Sequence, residues 1–158
     1  MQTSEFYLPE ASELPNIGLY MDQLLELLEG YLSQYKRRVN EPVFTKTMIN
    51  NYVKANVITM PVKKRYGKES LIELMMVFFL KQLFSIADTA TFIKYTIDLH
   101  HGDSVEAYNH FRTIIATLSM KKTADHRELD SSYDTLLVAT LDAVLNKINI
   151  ERQIDQWA

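Results

Sequence analysis

Two groups of side chains in this chain have types and spacing suited to reading a polyanion. The first is Thr47, Asn50, Asn51 and Lys54. On a helix those positions share one face. A carboxamide donates and accepts at once, so Asn50 and Asn51 suit adenine edges in a major groove. Thr47 and Lys54 suit phosphates or bases, and Thr45 and Lys46 open the same run. The second group is Lys63, Lys64 and Arg65, followed by Tyr66. Contiguous cations of this kind hold a nucleic-acid backbone and position a reader without specifying sequence. Taken singly, a polar helix face or a basic triplet is what any solvated surface carries. Their order along the chain makes duplex DNA the expected partner.

Charge supports that expectation. The net charge of −3 hides a split. Residues 36–68 hold nine basic side chains (Lys36, Arg37, Arg38, Lys46, Lys54, Lys63, Lys64, Arg65 and Lys68) and one acid, Glu41, a net of +8. The remaining eight basic and nineteen acidic residues make −11. A basic block in an acidic protein either faces a polyanion or pairs with the protein's own carboxylates.

The elements that must position these groups are helical. With four Gly and four Pro in 158 residues, the chain lacks the punctuation of a turn-rich β-sandwich. Pro9 and Pro15 mark residues 1–16 as an extended arm. Leu24, Leu25, Leu27, Leu28, Tyr31, Leu32 and Tyr35 predict a helix from Tyr20 to about Arg38, stopped by Asn40-Glu41-Pro42. Thr45 is the expected N-cap of a second helix, within residues 45–56. Its apolar side is Met48, Ile49, Tyr52 and Val53, and Asn56 ends it in a left-handed conformation. Val57-Ile58, the break at Pro61 and the return through Arg65-Tyr66-Gly67 predict a β-wing over 59–67. A helix to about Leu83 follows, with Leu71, Leu74, Met75, Phe78, Phe79 and Gln82 in register. Ser85 to Asp88 resembles a capping box that opens another helix to about Asp98. His100-His101-Gly102-Asp103 reads as a domain boundary, with helices 104–120 and 128–152 beyond it. The last carries a stripe of Leu129, Tyr133, Leu136, Leu137, Leu141, Val144, Leu145 and Ile148, suited to pairing two subunits or to packing within the chain.

Other chemistries find little support. Without cysteine there is no disulfide framework, no thiolate nucleophile and no Cys-ligated zinc. Asp98, His100, His101 and Asp103 lack metalloenzyme spacing, and His110 and His126 stand apart, so no metal and no cofactor is expected. No phosphate-binding glycine loop or nucleophile elbow is present, and Glu26 and Glu29 need no catalytic role; the protein is not expected to be an enzyme. The apolar run from Leu71 to Leu80 is too short to span a membrane, and MQTSEFYLPEASELP has no signal-peptide pattern. A soluble, cytoplasmic protein is expected. Tyr108, Phe111, Tyr133 and Trp157 are the aromatic residues that an effector pocket between the last helices would use.

The stretch from Phe44 to Ile93, FTKTMINNYVK through FSIADTATFI, resembles the MerR-type DNA-binding domain. Asn50 to Ile58 stands where that family has its recognition-helix pattern, Lys64 to Leu71 where it has its second pattern, and Phe84 to Thr89 at its next helix start. More closely, LYMDQ (Leu19–Gln23), TKTMINNYVK (Thr45–Lys54) and KKRY (Lys63–Tyr66) are similar to an uncharacterised family of bacterial MerR-like proteins from Gram-positive bacteria, grouped as a domain of unknown function. The resemblance implies a winged helix-turn-helix, DNA binding and transcriptional regulation. It departs in the longer link from Arg38 to Phe44, in a shorter wing, and in Asn50 and Val53 where that family has arginine and glutamate. Phosphate contacts then fall to Lys46, Lys54 and the wing.

The fold expected is all-α with a small β-wing: an arm (1–16), a MerR-like DNA-binding domain (17–99) and a C-terminal helical region (103–158) serving dimerisation or an effector. The function expected is regulation of transcription by a homodimer on duplex DNA. The rivals are a winged-helix adaptor for another protein and a small-molecule sensor without DNA binding.

Overall fold

Helix signals dominate the sequence, and the computed structural model describes residues 7–120 and 132–157 as mostly helical. The elements run α1 (Met21–Leu32), α2 (Lys46–Lys54), α3 (Lys68–Leu80), α4 (Ile86–Leu99), α5 (Ser104–Met120) and α6 (Ser132–Trp157), with short 3₁₀ turns at Ala11–Glu13 and Ser33–Tyr35. Among the described residues the only β-pairing is two isolated bridges, Leu19 with Tyr66 and Val62 with Arg65.

The core is built around α3. Every residue from Ser70 to Leu80 is buried, so this helix is apolar on all sides rather than along one stripe. It packs against α1, α4, α5 and α6. Each large apolar side chain held this way contributes about 1.5–3 kcal/mol. An aromatic series joins the layers: Tyr52 of α2 meets Phe44 at 6.0 Å, Phe44 meets Phe78 at 6.4 Å, Phe78 meets Phe79 at 5.2 Å, and Phe79 meets Phe111 of α5 at 5.8 Å.

Two expectations change here, and the described C-terminal stripe follows one of its two alternatives. The N-terminal segment is not a free arm over its described part: Leu8, Ala11 and Leu14 are buried, and Tyr108 Oη and Arg112 Nε donate to the carbonyls of Pro9 (2.6 Å) and Leu8 (2.7 Å). Nor does His100–Asp103 divide two cores, because one apolar cluster runs from Leu8 to Ile148. His101 and Gly102 take positive φ (57° and 79°) and turn α4 into α5 within that cluster. Finally, Leu137, Leu141, Val144, Leu145 and Ile148 of the C-terminal stripe are buried within the chain, while Leu136 faces out. Leu129 lies outside the described residues, as does the side chain of Tyr133.

Helix ends differ for local reasons. The first helix stops at Leu32 rather than Arg38, because a 3₁₀ turn drops Tyr35 into the core against Phe79 (4.9 Å). The third helix stops at Leu80, and residues 81–84 close it with turn hydrogen bonds to Val77, Phe79 and Leu80.

Candidate nucleic-acid interface

α2 forms where its caps place it. Thr45 is extended (φ −105°, ψ 160°) and its Oγ1 accepts from Met48 N at 3.1 Å, satisfying one free first-turn amide. Asn56 at φ 55° terminates the helix, and Val57 N returns to Tyr52 O at 2.9 Å. Ile49 and Tyr52 are buried, with Met48 and Val53 beside them at the core's edge. That anchorage turns Thr47, Asn50, Asn51 and Lys54 outward, all exposed, together with Thr45 and Lys46. Nine helical residues span about 13.5 Å. This is comparable with a major groove about 12 Å wide.

The approach to α2 is held from α1. Glu29 accepts from Lys36 and from Val43 N (2.9 Å). Burial alone would raise its pKa; these hydrogen bonds outweigh burial and hold it below the usual carboxylate range. This carboxylate, passed over in the sequence as an exposed helix residue, fixes the long link between the first two helices.

The basic triplet sits on a tight turn. Val62 and Arg65 exchange both backbone hydrogen bonds at 3.0 Å. The two residues between them, Lys63 and Lys64, have φ of 51° and 66°. Two central residues at positive φ define the I′ hairpin turn, normally built from Asn-Gly. Each L side chain held there costs roughly 1–2 kcal/mol. The turn is anchored by Leu19, which exchanges hydrogen bonds with Tyr66 at 2.8 and 2.7 Å. Gly18 makes this approach possible: a Cβ there would lie 2.9 Å from Cβ of Arg65.

The expected partner of this hairpin was Val57-Ile58. Those residues are instead buried, and the following Thr59 is tied to α3. Thr59 N (3.1 Å) and Oγ1 (2.6 Å) donate to Glu73, and Ser70 Oγ donates to Thr59 O (2.8 Å). Burial pushes the Glu73 carboxyl above its ordinary range despite the two Thr59 hydrogen bonds. Sequence reading missed Glu73; a lone acid inside the run from Leu71 to Leu80 was its one visible signal.

The predicted contact residues thus separate. Lys63 and Lys64 are exposed at the turn. Arg65 is exposed but occupied: its guanidinium lies 5.0 Å from the Tyr20 ring centre and donates to Tyr20 Oη at 2.9 Å. Tyr66 is 4% exposed, so its side chain belongs to the core rather than to a contact surface. Lys54 and Lys63 are nine residues apart, within about 30 Å at full extension.

The basic block divides by partners. Lys36 pairs with Glu29, Arg37 with Glu151 (2.9 Å) and Asp155 (3.2 Å), and Arg38 with Glu41 (4.0 Å). Lys68 donates to Asn16 Oδ1 at 3.2 Å. Among the described residues Lys46, Lys54, Lys63 and Lys64 have no carboxylate partner.

The other candidates scatter. His100 Nδ1 faces Thr96 O at 2.8 Å, and His110 Nε2 lies 2.7 Å from Asp134 Oδ1. Among the described residues no group of three or more such side chains is arranged to hold a metal ion. His126 lies outside them. Tyr108 and Phe111 fill the core, while Trp157 is 78% exposed at the end of α6, so these three do not gather into one effector pocket. No described helix is long and apolar enough to cross a membrane.

No curated protein and no solved structure matches the chain. Residues 9–112 match the family described as Domain of unknown function (DUF1836). The matched segment starts beside the buried Leu8, takes in α1 to α4 with both candidate surfaces, and ends within α5. It covers about two thirds of the chain, and the protein belongs to the DUF1836 family.

Proposed function

We propose that the protein binds duplex DNA, with α2 reading the major groove and the Lys63-Lys64 turn gripping the backbone, as a regulator of transcription. The observation that carries this reading is the turn itself. Two lysines occupy positions where Asn-Gly would be less strained, and neither has a carboxylate partner among the described residues. Strain of this kind persists where the side chains have a use. The order of α1, a long link, an outward polar α2, a tight basic hairpin and a buried α3 is the order of a winged helix-turn-helix, and this supports a MerR-like reading. In that reading Asn50 and Asn51 meet base edges, Lys46, Lys54, Lys63 and Lys64 meet phosphates, and Arg65 stiffens the base of the wing through Tyr20.

A homodimer on a two-fold-symmetric site remains part of the proposal. Leu137, Leu141, Val144, Leu145 and Ile148 of α6 are buried within the protomer and would not form its interface.

The test is fluorescence anisotropy on genomic fragments across a salt series. Neutralised phosphates release counterions, with a log–log slope near −0.9 per contact. A Lys63→Ala/Lys64→Ala variant is expected to bind all duplexes more weakly and to lose about 2 units of slope. Tight binding with no salt dependence would overturn the reading and favour an apolar protein partner.

A further inference from the structure

A hollow of about 240 Å³ opens at the side of the molecule where α6 passes the link between α1 and α2. Six basic side chains line it, with two carboxylates, Glu41 and Glu151. Some of that charge is already matched. Lys36 is held by Glu29, Arg37 by Glu151 and Asp155, and Lys147 by Glu151. Arg152 donates to Gln34 O at 2.6 Å. The remainder is matched weakly or not at all. Arg38 reaches Glu41 only at 4.0 Å, with both side chains exposed. Lys81 has no carboxylate partner among the described residues; its ammonium lies 5.2 Å from the centre of the Phe44 ring.

Lys81 is the informative residue. Lys81 is half-buried, burial pushes its pKa down, and its ammonium faces an aromatic ring rather than a carboxylate among the described residues. A ring face attracts the ammonium but accepts no conventional hydrogen bond from it. An oxyanion arriving beside it would accept hydrogen bonds from the ammonium and balance its charge. Arg38 adds a planar fork suited to phosphoryl or carboxyl oxygens. The volume sets the size: ligand pockets for larger organic molecules run about 300–1,000 Å³. A dinucleotide is too large for this hollow, and a small metabolite head fits.

We infer that this hollow is an anion-binding site, beside Lys81 and Arg38, for a small molecule carrying a multivalent oxyanion (phosphoryl groups or clustered carboxylates). Pro42 and Val43 line it and lead directly into Phe44 and the α2 cap, Thr45. Occupancy is therefore placed to bear on α2. The binding itself does not depend on whether α2 reads DNA.

Isothermal titration calorimetry of the full chain with pyrophosphate, and separately with citrate, at matched ionic strength, tests this. Saturable one-to-one binding of at least one anion is expected. The stronger of the two tells phosphoryl from carboxylate chemistry. Lys81→Met should weaken it at least tenfold. Arg38→Ala, at a 66% exposed side chain whose loss leaves the core intact, should weaken it several-fold. Lys63→Ala/Lys64→Ala should leave it unchanged. No saturable heat with either anion overturns the inference, as does binding that survives Lys81→Met and Arg38→Ala. Loss of binding in the Lys63/Lys64 variant also overturns it, by placing the anion on the DNA-facing turn.

Discussion

Lys63 and Lys64 and the buried Glu73 sit at positions where another residue would fit the fold better. At the turn, Lys63→Asn/Lys64→Gly relieves two left-handed L side chains while keeping the hairpin. A gain of about 1–2 kcal/mol in denaturant unfolding is expected, together with weaker DNA binding. Stability and binding moving in opposite directions would mark the lysines as retained for contact. Glu73 makes a pH-dependent claim. Its folded pKa is raised by burial, so the native state holds that proton more tightly than the unfolded chain does. Its contribution to stability therefore falls as pH rises from the ordinary carboxylate range through the raised pKa, and is flat above it. Glu73→Gln should match or exceed the parent at neutral pH and converge with it in acid. Glu73→Ala removes the acceptor for both Thr59 donors and should cost about 1 kcal/mol or more. Chemical denaturation across a pH series checks both.

At the scale of elements, α2 was the most legible part of the sequence. Its cap, its two faces and its left-handed terminator are local features, and local chemistry decided them: Thr45, Ile49 with Tyr52, and Asn56 stand as expected. The Ser85 cap, accepting from Asp88 N at 3.1 Å, was readable for the same reason. Thr45→Ala should cost about 1 kcal/mol, through the lost Met48 amide partner. The hairpin was half legible. Its tip follows from Pro61 and the basic triplet, but its true partner, Leu19, lies 47 positions before Tyr66 and contributes one bridge, which leaves no periodic trace. Gly18 was the available clue, since only a missing Cβ admits Arg65 so closely.

For the whole molecule, the sequence suggested parts where the structure has one core. The break at His100–Asp103 carries the same turn signals whether it joins two helices or two domains, and only the burial of α3 on every side distinguishes them. The register of Leu71, Leu74, Met75, Phe78 and Phe79 marks one face of α3, and periodicity cannot show that the opposite face is covered too. α5 and α6 cover it. A chain ending at residue 101 would expose Phe79, whose partner Phe111 is lost, and should fail to fold as a cooperative unit. The intact chain should unfold in a single transition by both circular dichroism and tryptophan-independent probes. Two separated transitions would contradict the single core.

The most direct measurement is amide chemical-shift mapping of the labelled protein titrated with a bound genomic duplex. The DNA reading predicts that perturbations concentrate on Thr45 to Lys54 and on Lys63-Lys64, with Lys36 to Arg38 little affected. Perturbations centred on Lys36 to Arg38, or absent at α2 while the duplex is bound, would contradict it.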